Sequence, residues 1–240
     1  IDFLGCDYEL FKKEKSGDKI INRWHELTRQ GKQDGFFPLL ILPEDTLAEA
    51  LELALEDAGL KNTPENIIVF RNRILQQAAG IDPVAFLQKR LSELDETYED
   101  IDILGDFKEC EPDECFYSYM DGNRPYPELL IAKVPAKYPW ELAAWFPMGG
   151  FNECPPPAEQ VAVFKYWYEK YGAVPGIVTG ANWEFELTRP PLTGQEAEEL
   201  AKEHFAFCED VVVQAGEDWD TIRALASRLK GSTTWYFWWD

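Results

Sequence analysis

An α+β fold, a mixed β-sheet flanked by several helices, is predicted by three features of the sequence. Short apolar runs bounded by turn residues, such as Leu39-Leu40-Ile41-Leu42 between Pro38 and Pro43, read as buried strands. Segments with helical apolar spacing and a capping residue at their start lie among them. The 240 residues are 45% hydrophobic and 14% aromatic, which supplies apolar surface enough for a core and excludes a disordered acidic chain.

The elements follow in order. Ile20, Ile21, Trp24 and Leu27 stand near helical spacing, so the stretch up to Gly35 reads as a helix. Leu39–Leu42 is a strand. Asp45 or Thr46 is positioned to cap a helix over Leu47 to Ala58 that Gly59 stops, and this strand–helix pair reads as an α/β unit. Thr63-Pro64 opens a second helix through Ile67, Phe70 and Ile74, and Asp82-Pro83 opens a third through Leu87, Leu91 and Leu94. From Glu93 to Glu114 eleven acids face the single base Lys108, a charge run that reads as a boundary or mobile loop. It divides the chain into residues 1–114, a helical and αβ region ending in an acidic loop, and residues 115–240, a second α+β region, with one core shared between them left open.

Phe116–Tyr119 and Leu129–Val134 read as strands of a hairpin joined by the turn-rich Asp121-Gly122-Asn123-Arg124-Pro125. Pro139–Trp145 makes one or two helical turns, and Cys154-Pro155-Pro156-Pro157 opens a helix through Val161, Phe164, Trp167 and Tyr168 that Gly172 stops. Val174–Val178 and Trp183–Leu187 are strands, the second alternating Trp183, Phe185 and Leu187 with Glu184 and Glu186. Thr193 to Cys208 is a helix with acids in its first turns. Asp218 or Asp220 caps a last helix to Leu229, and Gly231 releases the chain into Trp235-Tyr236-Phe237-Trp238-Trp239-Asp240.

Several of these segments are familiar. Gly149-Gly150-Phe151-Asn152-Glu153-Cys154-Pro155, Tyr166-Trp167-Tyr168-Glu169-Lys170-Tyr171-Gly172, Phe205-Ala206-Phe207-Cys208 and the terminal aromatics occur in one order. Together, from roughly Leu129 to Asp240, they resemble an uncharacterised bacterial family, the domain of unknown function numbered 4253. Relatives often carry proline after the cysteine that matches Cys208, where this chain has Glu209, and often lack histidine at His204. The resemblance implies a bacterial origin and a domain extent, and no reaction.

The charge excludes some functions and favours others. Lys plus Arg is 23 and Asp plus Glu is 44, a net charge of −21, which argues against binding a nucleic-acid backbone. No apolar run reaches the roughly 18 residues of a membrane span. Ile1 to Leu10 carry Asp2, Asp7 and Glu9 without a basic region, so they do not read as a secretory signal. Five widely spaced cysteines fit reduced thiols in a cytoplasm.

The candidate binding residues are Asn152, Glu153, Cys154, Trp167, Trp235, Trp238 and Asp240. Asn152 to Cys154 sit in a loop bounded by glycine and proline, where a thiol beside a helix start can be activated but needs a base. The five consecutive aromatics Trp235–Trp239 read either as a central strand buried on both faces or as a strand with one face lining a pocket. His204 and Cys208 share a helix face, yet two ligands make no metal site, and no metal or cofactor is expected. The common nucleotide, esterase and zinc-protease motifs are absent from the sequence. Two functions remain. The first is a non-enzymatic acidic module that captures a basic protein, as an acidic immunity protein does its toxin. The alternative is an enzyme or small-ligand binder, its pocket between the Asn152–Cys154 loop and the terminal aromatics.

Overall fold

The computed structural model describes residues 3–240, without the side chains of Asp45 and Thr46. Its first half holds β1 (Tyr8–Lys12), α1 (Gly17–Asp34), β2 (Phe37–Ile41), α2 (Asp45–Asp57), α3 (Pro64–Ala78) and α4 (Pro83–Thr97). A small hairpin of β3 (Met120–Asp121) and β4 (Arg124–Pro125) precedes β5 (Glu128–Val134). A 3₁₀ turn (Pro139–Glu141), α5 (Leu142–Trp145), α6 (Pro157–Tyr171), β6 (Val174–Val178) and β7 (Asn182–Glu186) follow. The chain ends with α7 (Gly194–Phe207), α8 (Asp210–Val213), α9 (Ile222–Leu229) and β8 (Thr234–Trp238).

Six strands make one mixed sheet in the order β1-β5-β2-β6-β7-β8, and the fold is α+β as the sequence predicts. β2 pairs antiparallel with β5 and parallel with β6, so a strand from the first half lies between two strands of the second. The strands alternate between two cores. Leu39, Ile41, Leu130, Ala132, Val178 and Phe185 face the layer of helices that follows β2. Leu40, Leu129, Ile131 and Ile177 face α1, through Ile20, Trp24 and Leu27, and the covering residues Phe116 and Tyr119. Gly176 sits where a Cβ would collide with the Phe116 ring, so a side chain there would push this cover off the sheet.

The helix starts follow from their caps. Thr63, Asp82 and Thr193 accept hydrogen bonds from the first-turn amides of α3, α4 and α7, and Gly172 ends α6 at φ 65°. Glu44 rather than Asp45 or Thr46 holds the N-cap position of α2; the side chains of the latter two lie outside the described residues. Thr221, not Asp218 or Asp220, caps α9.

Four other expectations change. β1 is a strand where a helix running to Gly35 was expected; its alternate residues Tyr8, Leu10 and Lys12 are exposed, on the solvated side of an edge strand. Phe116–Tyr119 forms no hairpin with β5, which pairs instead with β1 and β2. β8 is an edge strand and not a central one. Trp235, Phe237 and Trp239 are buried towards the helices, whereas Tyr236 and Trp238 are half-buried. The acidic segment, expected as a boundary or mobile loop, is laid along α9 and β8. Ile222 and Arg223 donate to the carbonyls of Ile103 and Leu104, and Thr233 donates to that of Asp113.

The cover over β7 buries a carboxylate. Glu184 is fully buried and accepts the main-chain N–H groups of Tyr117 and Ser118 at 3.1 and 2.5 Å. Burial outweighs these bonds and pushes its pKa up to about 7. The folded protein therefore holds a proton that the unfolded chain releases above about pH 4.5, and the group's contribution to stability falls as pH rises through 4.5 to 7. Glu184→Gln removes that dependence. Wild type minus variant, followed by urea unfolding from pH 5 to 8, is expected to lose about 3 kcal/mol across the range; a pH-independent difference would contradict the assignment.

Candidate functional site

The Gly149–Pro155 loop joins α5 to α6 and is built around one buried amide. Gln160, on α6, donates through Nε2 to the carbonyls of Met148 (2.6 Å) and Pro155 (2.8 Å) and accepts from Trp183 Nε1 (2.9 Å). Gly149, at φ 129°, lies so close to Gln160 and Pro155 that a Cβ would overlap both. Asn152 and Glu153 both adopt left-handed backbone, at φ 41° and 61°, a conformation uncommon for residues other than glycine. Their geometry is held from outside: Asn152 Nδ2 donates to the main-chain oxygen of Asp240, and Arg90 donates to the Glu153 carbonyl (3.0 Å) and to that of Ala206 (2.7 Å).

The structure thus brings Asn152, Glu153 and Asp240 together at the surface, with Asp240 N donating to Asp210 Oδ2 at 3.2 Å. It sets the other candidates apart from them. Cys154 is buried beneath the loop, its sulfur 3.6 Å from Gln160 Nε2 and from Met148 Sδ, and burial pushes its thiol pKa well up, away from the thiolate a nucleophile needs. Trp167 is a core residue, stacked on Phe237 with ring centres 5.3 Å apart, its Nε1 donating to Glu203. Trp235 is buried beside it, edge-on to the Trp167 ring. Trp238 is half-buried on the other side of β8, where its carbonyl accepts from Cys208 Sγ. Cys208 is buried, its pKa raised to about 12, and among the described residues no group of three or more His, Cys, Asp or Glu side chains is placed to hold a metal.

A second surface feature lies on the acidic segment. Residues 106–112 run beside α9 and leave an open groove of about 810 Å³ against Leu192, Gly194 and Lys230. Phe107 and Leu192 border it with 50% and 69% of their surface exposed. Of the eleven acids from Glu93 to Glu114, two form an ion pair among the described residues, Glu93 with Lys89 and Asp113 with Arg228. The others, including Asp106, Glu109 and Glu111 near the groove, are exposed and lack such a counter-charge. Lys108 and Lys230 are the cations at its walls. The charge run announced this surface in the sequence. Its apolar anchors were not visible there, because Phe107 and Leu192 look like ordinary core residues until the backbone turns them outward.

Fold and surface together define an α+β protein with an acidic, partly apolar face. Residues 130–240 match the family model of a domain of unknown function, DUF4253, as the motif resemblance implied. No curated protein and no solved structure matches the chain. The matched segment starts within β5 and omits β2, the strand that separates β5 from β6. Among the described residues no helix is long and apolar enough to cross a membrane.

Proposed function

We propose that the protein is a non-enzymatic, acidic binding module that captures a basic protein partner on the groove beside residues 106–112. The observation that carries this reading is exposed Phe107, set in a run of carboxylates most of which lack ion-pair partners, with exposed Leu192 facing it across the groove. Exposed apolar side chains ringed by charge supply what an interface uses: anchors that desolvate and a field that steers. Acidic immunity proteins that neutralise basic toxins work by this chemistry, and the parallel is one of chemistry alone. The Asn152–Cys154 loop has no ligand role in this reading, since Gln160, Arg90 and Asp240 take up its polar groups.

The reading is tested by immobilising the protein in a lysate of its source organism at low and high salt. A basic protein is expected at near one-to-one stoichiometry, released at high salt because exposed charges are screened within about 10 Å at 0.1 M ionic strength. Glu109→Lys with Glu111→Lys should cut its retention about tenfold. Glu56→Lys with Glu65→Lys, exposed acids on α2 and α3, should leave it unchanged. Equal retention by both double variants would remove the groove from the proposal.

A further inference from the structure

A small cavity of about 110 Å³ lies along the outer edge of β8, closed by α7, α8 and α9. Two buried side chains on its walls carry polar atoms without hydrogen-bond partners: His204 Nε2 on α7 and Trp235 Nε1 on β8, at 1% and 2% exposure. Buried polar atoms left unpaired are rare because each costs free energy, so two on one cavity call for a partner.

The backbone adds a third unpaired site. Leu187 N donates to Thr233 O and Trp239 N to Ala181 O, so the odd-numbered residues of β8 turn their main-chain groups towards β7. Those of Thr234, Tyr236 and Trp238 face outward. Asp113 O receives Thr234 N at one end, and Cys208 Sγ donates to Trp238 O at the other. Between these, the N–H and C=O of Tyr236 have no partner among the described residues, and Tyr236 lines the cavity.

The cation on the cavity wall is already engaged. Arg228 pairs with Asp113 at 3.3 Å, and Asp210 accepts from Gln214 Nε2 (2.7 Å) and Asp240 N (3.2 Å). Burial drives the His204 pKa down to about 3, so its ring is neutral. An anionic guest would find no free cation on these walls. An indole N–H can only donate, so the guest must carry an acceptor, and the Tyr236 pair asks for a donor and an acceptor side by side. One water needs about 10–15 Å³ of such volume, so the space admits several non-hydrogen atoms.

We propose that this cavity binds a small uncharged amide, paired with the Tyr236 main chain as a neighbouring strand would be and accepting from the Trp235 indole. The site is separate from the acidic groove and does not depend on it. N-methylacetamide titrated into ¹⁵N-labelled protein is expected to shift the Trp235 indole and Tyr236 amide resonances saturably, with the millimolar affinity that a five-atom ligand permits. Acetate, close in size but anionic, should give no saturable shift. Ala215→Leu, at the half-buried cavity wall, should abolish the response to N-methylacetamide, and His204→Phe provides the same check from the opposite wall. No saturable shift in the wild type would mean the cavity holds water alone and would overturn the proposal. Equal binding of acetate, or binding that survives both variants in folded protein, would overturn it as well.

Discussion

Residues 115–240 produced without residues 1–114 are expected not to fold cooperatively, although they contain the entire segment that matches the domain family. Without β2, β5 and β6 have no shared neighbour, and both expose unpaired edges in the middle of the sheet. Leu39, Leu40 and Ile41 are each at most 2% exposed. Their burial alone stabilises the sheet by about 5–9 kcal/mol. Loss of α1 uncovers Leu129, Ile131 and Ile177 besides. A whole domain of this size has a net stability of only about 5–15 kcal/mol, so these losses exceed what it can tolerate. Circular dichroism melting checks this: the fragment should lack a cooperative transition, and co-expression with residues 1–114 should restore one. A fragment that melts cooperatively near the full chain's temperature would show that the second half closes its sheet in some other way.

The second large effect is expected at Gln160. Gln160→Leu keeps the volume of the side chain but leaves the carbonyls of Met148 and Pro155 and the Trp183 indole N–H buried without partners. Each orphaned group costs about 1–3 kcal/mol, so the variant should lose at least about 3 kcal/mol in urea unfolding. Trp183→Phe removes one of the orphans in advance. The double variant should therefore be less destabilised than the sum of the singles, by roughly 1 kcal/mol. A loss under 1 kcal/mol, or strict additivity, would mean that the Gly149–Pro155 loop is held by other contacts.

Much of the fold was legible because its helices obey local rules. Thr63-Pro64, Asp82-Pro83 and Thr193 announce helix starts that tertiary packing then leaves in place. What escaped were features decided by distant segments. β1 is an edge strand whose sheet partner, β5, comes more than a hundred residues later. Tyr117 and Ser118 spend their N–H groups on Glu184 rather than on a hairpin, and nothing local to either segment signals that pairing. Glu184 itself reads as the wet face of an alternating strand, and only the cover from residues 116–119 dries it. Gln160 did leave a signal that was missed, for it shares the helical stripe of Phe164, Trp167 and Tyr171, where a polar residue must find buried partners.

The candidate site was legible in parts. Spacing placed Asn152 to Cys154 in a constrained loop, and the structure joins that loop to Asp240. The activated thiol did not follow, because the helix start that lowers a cysteine's pKa is here roofed by Met148 and Gln160. Strand alternation correctly divided the terminal aromatics into two faces, yet it could not tell an edge strand from a central one. His204 stood out only as half of a possible metal pair; its unpaired nitrogen on the cavity beside β8 emerges from the packing of three helices.

If a basic partner docks on the acidic groove, hydrogen–deuterium exchange on the complex with the captured protein will show it. Protection is expected over residues 106–112 and around Leu192, where bound surface excludes water, with α2 and α3 exchanging as in the free protein. Protection confined to α2 and α3, or none on the groove at saturating partner, would contradict the claim.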